Sequence, residues 1–489
     1  MRDFIFSLDP DSKKGLQSQI REFLVSAILN GHLKPNERVP SSRKLSEMLG
    51  VSRNTVMLAY QYLIDDGYLV THERSGYFVS EQVLEGNLKP LPVDQAFESD
   101  PVDWTGRFRV TPSHQRNILK PDNWTEYPYP FIYGQVDHKL FPITDWRECV
   151  YRVLGKRWLE AWTMDTLDAD DSMLIEQIRQ RILPRRGILA DEDEILVTLG
   201  AQHALYLTSS LLISSKTNVA LEDPSYPDVR NIVRLRTDNI RFLGVDDFGL
   251  PVDDRLSGSD VCFVTPSHQS PTTVTMPHER RLELLKAARQ HDFLIVEDDY
   301  EFETNYMGSP CPALKSLDQD GRVIYVGSFS KSLFPGLRLG FIVGSKAFIK
   351  EARALRRLMM RHPPNNNQRS TAFFLSLGYY DAFVRRLHRV YRGRWQEMGE
   401  ALSRHLPEWS QRPSFGGSSY WVEGPEGLDA DELAQEALNH GIVIAPGGIY
   451  FSGPNKPKNC FLLGFSSIDQ TMIEPGIKKL AELIHSRTG

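Results

Sequence analysis

The chain is short of cysteine, of long apolar runs and of excess charge, and each shortage removes a class of protein. Only four cysteines, Cys149, Cys262, Cys311 and Cys460, occur in 489 residues, with no metal-ligand spacing among them. A disulfide scaffold and a structural metal module are thereby excluded, and reduced thiols in a cytoplasmic protein are expected. No run approaches the ~20 apolar residues of a membrane helix. Met1-Arg2-Asp3-Phe4 is not followed by the apolar core of a secretory signal. No membrane partner is expected. The absence of a short repeat argues against a solenoid. A formal net charge of -6 excludes a globally basic nucleic-acid coat, though not a small basic face. What remains is an ordinary globular composition, 41% hydrophobic and 25% charged, with length for about three domain-sized units.

The first eighty residues organise themselves. Leu16, Ile20, Phe23, Leu24, Ala27 and Ile28 recur at helical spacing until Asn30-Gly31. Ser41-Ser42 opens a short helix expected to turn Leu45, Met48 and Leu49 inward, and Gly50 closes it. Ser52 can cap a third helix whose stripe is Val56, Ala59, Tyr60 and Leu63. Two helices across so tight a turn form a helix-turn-helix pattern, and Tyr68-Leu69-Val70 with Gly76-Tyr77-Phe78-Val79 predicts a two-stranded wing. Between Lys34 and Thr55, five basic residues face two acidic ones. Arg53 and Thr55 fall in the first turn of the third helix, the part that enters a major groove. Ser42, Arg43 and Arg74 are placed to reach phosphates or the neighbouring groove.

The segments Leu33-Lys34-Pro35-Asn36-Glu37-Arg38-Val39-Pro40-Ser41-Ser42-Arg43-Lys44 and Val51-Ser52-Arg53-Asn54-Thr55-Val56 closely resemble the GntR-type winged helix-turn-helix of bacterial regulators, over residues 12–80. The resemblance implies contacts to double-stranded operator DNA. The candidate set is Ser42, Arg43, Ser52, Arg53, Thr55, Arg74 and Gly76.

Residues 81–123, with Pro90, Pro92, Pro101 and Pro112 and no periodicity, read as a linker. A helix is expected over residues 145–158. Downstream, short apolar strands alternate with helical stretches, and each strand delivers polar groups at its C-terminal end, where open α/β sheets place ligands. Ile195-Leu196-Val197-Thr198 runs into Gly200-Ala201-Gln202, a glycine turn at a helix start suited to phosphate. Three further strands end in Tyr226, in His268-Gln269 and in Glu297-Asp298-Asp299-Tyr300. The last, Val323-Ile324-Tyr325-Val326, leads into Ser328, Ser330, Lys331, Pro335-Gly336 and Arg338. A lysine that loses its proton in a desolvated pocket can form a Schiff base, while serines and an arginine fork hold a phosphate. If the ligand is pyridoxal 5'-phosphate, a buried carboxylate must pair with the ring nitrogen. Asp298 is the choice, since Asp299 should point the other way from an extended strand. Tyr300 then shares its face and can meet the ring hydroxyl, and Tyr226 can stack on the ring.

These ordered motifs, spread over about residues 125–485, are similar to the fold-type I aminotransferase domain, and more closely to its version in MocR/GabR-type regulators. The resemblance implies an α/β large domain with a mostly parallel, seven-stranded-type sheet and a small C-terminal α/β subdomain. The expected layout is a winged head at 1–80, a linker at 81–123 and a cofactor-binding effector and dimerisation domain at 124–489. It implies Lys331 as the Schiff-base lysine, Asp298 at the ring nitrogen and Tyr300 at the ring hydroxyl. Ser328, Ser330, Arg338 and the Gly200-Ala201 turn surround the phosphate, and Gln202, Tyr226 and His268 complete the set. A head-to-tail homodimer is also implied. Three departures from the pattern weigh against ordinary transamination. Leu463 stands where an arginine usually grips the substrate carboxylate, Thr272-Thr273 replaces Thr-Gly, and Ala169-Asp170-Asp171-Ser172 replaces a glycine-containing approach. Arg361 or Asn365-Asn366-Asn367 are the candidates to meet a polar amine ligand instead. The function implied is a transcriptional regulator of a catabolic or cofactor-synthesis operon, sensing an amine or the cofactor itself through Lys331. The alternative is a working aminotransferase with an accessory DNA-binding domain.

Overall fold

The computed structural model describes residues 8–9, 11–72, 75–84, 102–166, 169–307, 311–409, 416–453 and 456–488. The chain divides into two compact units, Met1–Arg107 and Phe108–Gly489. Residues 108–123, part of the expected linker, thus belong to the larger unit. There Gln115 Nε2 donates to the Asn231 carbonyl at 3.0 Å and Asn231 Nδ2 to the Arg116 carbonyl at 2.9 Å.

In the smaller unit, helices Leu16–Leu29, Ser42–Leu49 and Arg53–Asp65 precede the strands Leu69–His72 and Gly76–Val79, which pair antiparallel. Local chemistry sets the ends. Ser41 accepts from the Lys44 amide and Ser52 from the Thr55 amide, so both later helices start on a hydroxyl cap, and Gly50, at φ +65°, stops the second. The core is a single apolar cluster including Ile20, Leu24, Val56, Tyr60, Leu63, Leu69 and Val79. One expectation fails: Met48 is exposed, because the second helix buries Ser42, Leu45 and Ser46 instead.

The larger unit is built on a seven-stranded sheet in the order Ile195–Thr198, Gly340–Val343, Val323–Ser328, Leu294–Asp299, Val261–Val264, Val219–Asp223, Ile240–Gly244. All neighbours run parallel except Gly340–Val343, which is antiparallel to both its partners. The strands Ile195–Thr198, Val261–Val264, Val323–Ser328 and Gly340–Val343 are buried along their whole length, as apolar runs covered on both faces must be. A smaller antiparallel sheet, Ser419–Glu423, Cys460–Gly464 and Ala445–Pro446, follows the 27-residue helix Tyr379–His405. The short strand Tyr129–Pro130 pairs with Ile442–Val443, which brings the residues after Pro130 back to the sheet ends. The helix expected over 145–158 is shorter, Ile143–Val153, with a separate 3₁₀ turn at Lys156–Trp158.

Thr273 is 95% buried and sits at φ +66°, a left-handed conformation that a β-branched residue adopts at a cost. Thr273→Gly is expected to raise unfolding free energy by about 1 kcal/mol, the relief exceeding glycine's extra chain entropy. Urea denaturation checks this; a destabilised variant would mean that the buried methyl outweighs the backbone.

Candidate functional site

The site assembles where the central strands end. Gly340 pairs with Thr198 on one side and with Ser328 on the other, so the start of the helix Gly200–Leu212 and the loop carrying Lys331 are held in register. A Cβ on Gly340 would stand 2.7 Å from the Gly327 carbonyl oxygen and 2.9 Å from Gly200 Cα; only glycine fits. Gly200 itself lies at φ +77°, and a Cβ there would stand 3.4 Å from Arg338 Nη2. Arg338 donates to the Leu199 carbonyl at 3.0 Å, and the Ser330 amide donates to Ser328 Oγ at 3.2 Å. The helix N-terminus and the exposed Arg338 guanidinium thus lie together, and Ser328 and Ser330 lie at the end of the strand paired with Gly340; all are groups that anions prefer. His203, which sequence reasoning passed over, accepts the Leu199 amide at 3.1 Å through Nδ1. Burial and the Arg356 and Arg338 charges push its pKa down to about 4, leaving a neutral imidazole in the first turn.

Asp298 and Asp299 face opposite ways. Asp299 accepts Arg186 Nε at 2.7 Å and the Tyr325 hydroxyl at 2.8 Å in a buried ion pair. Asp298 faces Tyr226 across a cavity of about 20 Å³, and its Oδ1 has no hydrogen-bond partner among the described residues. Burial, with the Asp299 and Glu222 carboxylates nearby, pushes the Asp298 pKa up to about 7. A buried carboxylate so placed is satisfied by a ligand cation such as a protonated ring nitrogen. The Tyr226 hydroxyl lies 2.9 Å from Asp228 Oδ2 and 3.2 Å from Gln202 Oε1, which fixes the ring's tilt.

Lys331 is partly buried, with Nζ 3.7 Å from the centre of the Tyr133 ring. A Cβ on Gly134 would come within 2.8 Å of that nitrogen. Burial pushes its pKa down to about 8, against the opposing pull of Glu301 and Asp298. Tyr300 interacts with Tyr133 and Ser270, and burial raises its pKa. His268 is buried 3.3 Å from a Glu301 oxygen, its pKa lowered chiefly by burial. Gln269 is a structural brace, donating to Glu222 and to the Pro224 carbonyl. Sequence reasoning missed Tyr133, Gly134 and Glu301; the last follows a motif already claimed by its neighbours.

Three of the four alternative ligand contacts already have partners, and Asn366 is exposed. Arg361 pairs with Asp165, Asn365 donates to the Met164 carbonyl and Asn367 to the Leu337 carbonyl. Leu463 is fully buried in the core, so no guanidinium grips a carboxylate from that strand position.

On the small unit, Arg43, Arg53 and Asn54 are exposed and Arg53 opens the third helix. Ser42 departs from its expected role: it is 5% exposed, and its hydroxyl accepts Arg53 Nε at 3.4 Å, so it aims that side chain rather than meeting a phosphate. The Ser52 and Thr55 hydroxyls lie 2.7 Å apart. Gly76 turns the wing at φ +109° against the exposed guanidinium of Arg38, one of the five basic residues between Lys34 and Thr55. Arg74 lies outside the described residues.

Residues 166–480 match the family described as aminotransferase class I and II, and residues 16–79 match the bacterial regulatory proteins, gntR family. Fold and site thus define a pyridoxal-phosphate-binding aminotransferase domain carried behind a winged DNA-binding head. The chain is 41% identical over 480 residues to the HTH-type transcriptional regulator TauR of Rhodobacter capsulatus, covering 98% of each chain. It is 30% identical to the probable rhizopine catabolism regulatory protein MocR of Rhizobium meliloti, covering 97% of this chain and 94% of that one. Among solved structures, LysN, the α-aminoadipate aminotransferase of Thermus thermophilus complexed with N-(5'-phosphopyridoxyl)-L-leucine, matches with a TM-score of 0.70. The identity there is 27%, over 79% of this chain and 99% of that one. The chain belongs to the MocR-type transcriptional regulators, in which a GntR head is joined to a class I/II aminotransferase domain. Among the described residues no helix is long and apolar enough to cross a membrane.

Proposed function

We propose that this regulator works in the cytoplasm as a head-to-tail homodimer, binding operator DNA through its heads and sensing an amine at Lys331. The carrying observation is the combination of a lysine nitrogen over Tyr133, an Asp298 Oδ1 without a hydrogen-bond partner among the described residues, and the candidate anion cradle at Gly200, Ser328, Ser330 and Arg338. Pyridoxal phosphate supplies an aldehyde for amine exchange and a ring that acts as an electron sink. The chain's own groups hold it. Ser328, Ser330, Arg338 and the helix start at Gly200-Ala201-Gln202 take the phosphate, and Asp298 takes the ring nitrogen. Tyr300 meets the ring hydroxyl, while Tyr226 and His268 border the ring. An amine that competes with Lys331 frees the lysine side chain. The domain can then exchange between two packings that place the heads differently on DNA. The buried Leu463 favours sensing over turnover, since a substrate carboxylate finds no arginine there.

A spectral titration of the cofactor-loaded protein with a panel of amines, followed by operator binding with and without the responder, tests the proposal. Steady keto-acid production would favour the enzyme reading; a responder that leaves operator affinity unchanged would remove the sensor. Sedimentation tests the dimer.

Three quantitative expectations arise here. With the Lys331 pKa near 8, the neutral amine is a minor fraction at pH 7 and predominant at pH 9, so cofactor capture by the apo-protein should quicken about tenfold over that interval. The same depressed pKa makes the apo-fold gain stability as pH rises from 8 towards 10.5, where only the unfolded lysine still holds its proton. Stopped-flow absorbance reads the first. Arg53→Ala should weaken operator binding by ~1–3 kcal/mol in a salt-controlled assay if it reads a base edge. An unchanged affinity would move recognition to another side chain.

A further inference from the structure

The cavity across which Asp298 faces Tyr226 has a second acid on its wall. Glu222, Ser225 and Thr265 border it too, and the rest of the lining comes from apolar residues. Its volume of about 20 Å³ has room for one water. Glu222 Oε1, Ser225 Oγ and Asp298 Oδ1 are all sealed from solvent and have no hydrogen-bond partner among the described residues. A ligand cation at Asp298 leaves the other two unanswered. Glu222 is 2% exposed. Its other oxygen is fully used, accepting the Thr265 amide at 3.2 Å, the Thr265 hydroxyl at 2.6 Å and Gln269 Nε2 at 3.2 Å. Among the described residues no cation lines the cavity. Two buried carboxylates on one apolar-walled space, with no cation beside them, do not both ionise; one proton between them removes the conflict. The neighbouring titratable groups are engaged elsewhere. The Tyr226 hydroxyl is turned to Asp228 and Gln202, Asp299 is paired with Arg186, and Glu297 accepts the Leu314 and Lys315 amides. Lys331 is felt at Asp298 but does not line the cavity. The Cys262 thiol, which feels Glu222, and the Tyr300 phenol, which feels Asp298, are both pushed up by burial and stay neutral.

We propose that Glu222 and Asp298 share one proton across this cavity, with Ser225 Oγ as the bridge, and that Glu222 is thereby a positioning residue for the cation Asp298 receives. The shared proton stands on the cavity alone; its bearing on the ring nitrogen rests on the reading given above. As the proton shifts, the O–H bond on one carboxyl breaks while one forms on the other. Ser225 passes a proton on as it receives one, so no outside acid or base is consumed. The two acids are well matched for this exchange. Burial pushes the Glu222 pKa up to about 7, against the donors of Thr265 and Gln269, which is where burial also brings Asp298.

Infrared difference spectroscopy of the full-length apo-protein tests this, because a protonated carboxyl absorbs apart from a carboxylate. At neutral pH the wild type should show the band of one buried protonated carboxyl. Glu222→Gln and Asp298→Asn should each lose most of that intensity, since either amide removes the rival charge and can donate to the acid that remains. A purely structural role for Glu222 would leave the band in place. Full intensity in either folded variant overturns the sharing, for the proton would then belong to one acid alone. If Glu222→Gln does not fold, Asp298→Asn decides by the same rule. An Asp298→Asn variant that binds pyridoxal phosphate as tightly as the wild type would instead remove Asp298 from the ring nitrogen. The shared proton would survive that result, and a band kept in full would remove only the sharing.

Discussion

Lys331→Ala is expected to abolish covalent capture of pyridoxal phosphate altogether. Borohydride reduction of the wild type should leave the cofactor on the peptide carrying Lys331, and reduction of the variant should leave none. The argument is one of access and protonation. Lys331 is held over Tyr133 with its pKa lowered to about 8 by burial, so it offers a larger neutral fraction than an ordinary lysine does. The variant keeps the cradle of Ser328, Ser330, Arg338 and Gly200, and with it a weaker, non-covalent hold on the phosphate. The other lysine whose charge reaches this nitrogen is Lys120. A reduced adduct found there would show that the wrong amine has been chosen.

Asp170→Ala should cost ~3–5 kcal/mol of unfolding free energy, the usual penalty for stranding a buried charge. Asp170 and Arg356 are both fully buried and 2.5 Å apart, and Arg353 approaches the same carboxylate at 2.8 Å. The Val197 amide donates to it at 3.2 Å, while Arg356 also donates to the Val197 carbonyl at 2.6 Å. Asp170 therefore fastens the edge strand Ile195–Thr198 to the helix Lys346–Met360. Its neighbour Asp171 caps the helix Ser172–Gln177 through the Leu174 amide and pairs with Arg369 at 2.6 Å. Urea unfolding followed by fluorescence measures the effect; a loss below ~1 kcal/mol would contradict so buried an ion pair. Of the acidic pair that departs from the family pattern, Asp170 thus fastens the sheet edge and Asp171 a helix start.

The sequence made much of this legible where the signal is local. Helical spacing with Ser41, Gly50 and Ser52 at the ends marks the limits of the head's helices, and an apolar run followed by polar residues marks each strand end. It failed where two remote segments meet. Asp170 and Arg353 stand 183 positions apart, and nothing near either announces the other. Tyr133 reaches Lys331 because Tyr129–Pro130 pairs with Ile442–Val443, a register set by tertiary packing. Met48 misled for a different reason. The second helix packs closely against the third through the small residues Ser42 and Ser46, which hydropathy reads as surface.

The three glycines at 200, 327 and 340 carry one last implication. Because strand Gly340–Val343 is hydrogen-bonded on both edges, with Gly340 opposite Thr198 and Ser328 and no side chain to give way, the two halves of the pocket share a single rigid hinge-pin. Whatever tugs on the lysine loop is felt at once by the helix start proposed to take the phosphate. A ligand that loosens one must therefore disturb the other.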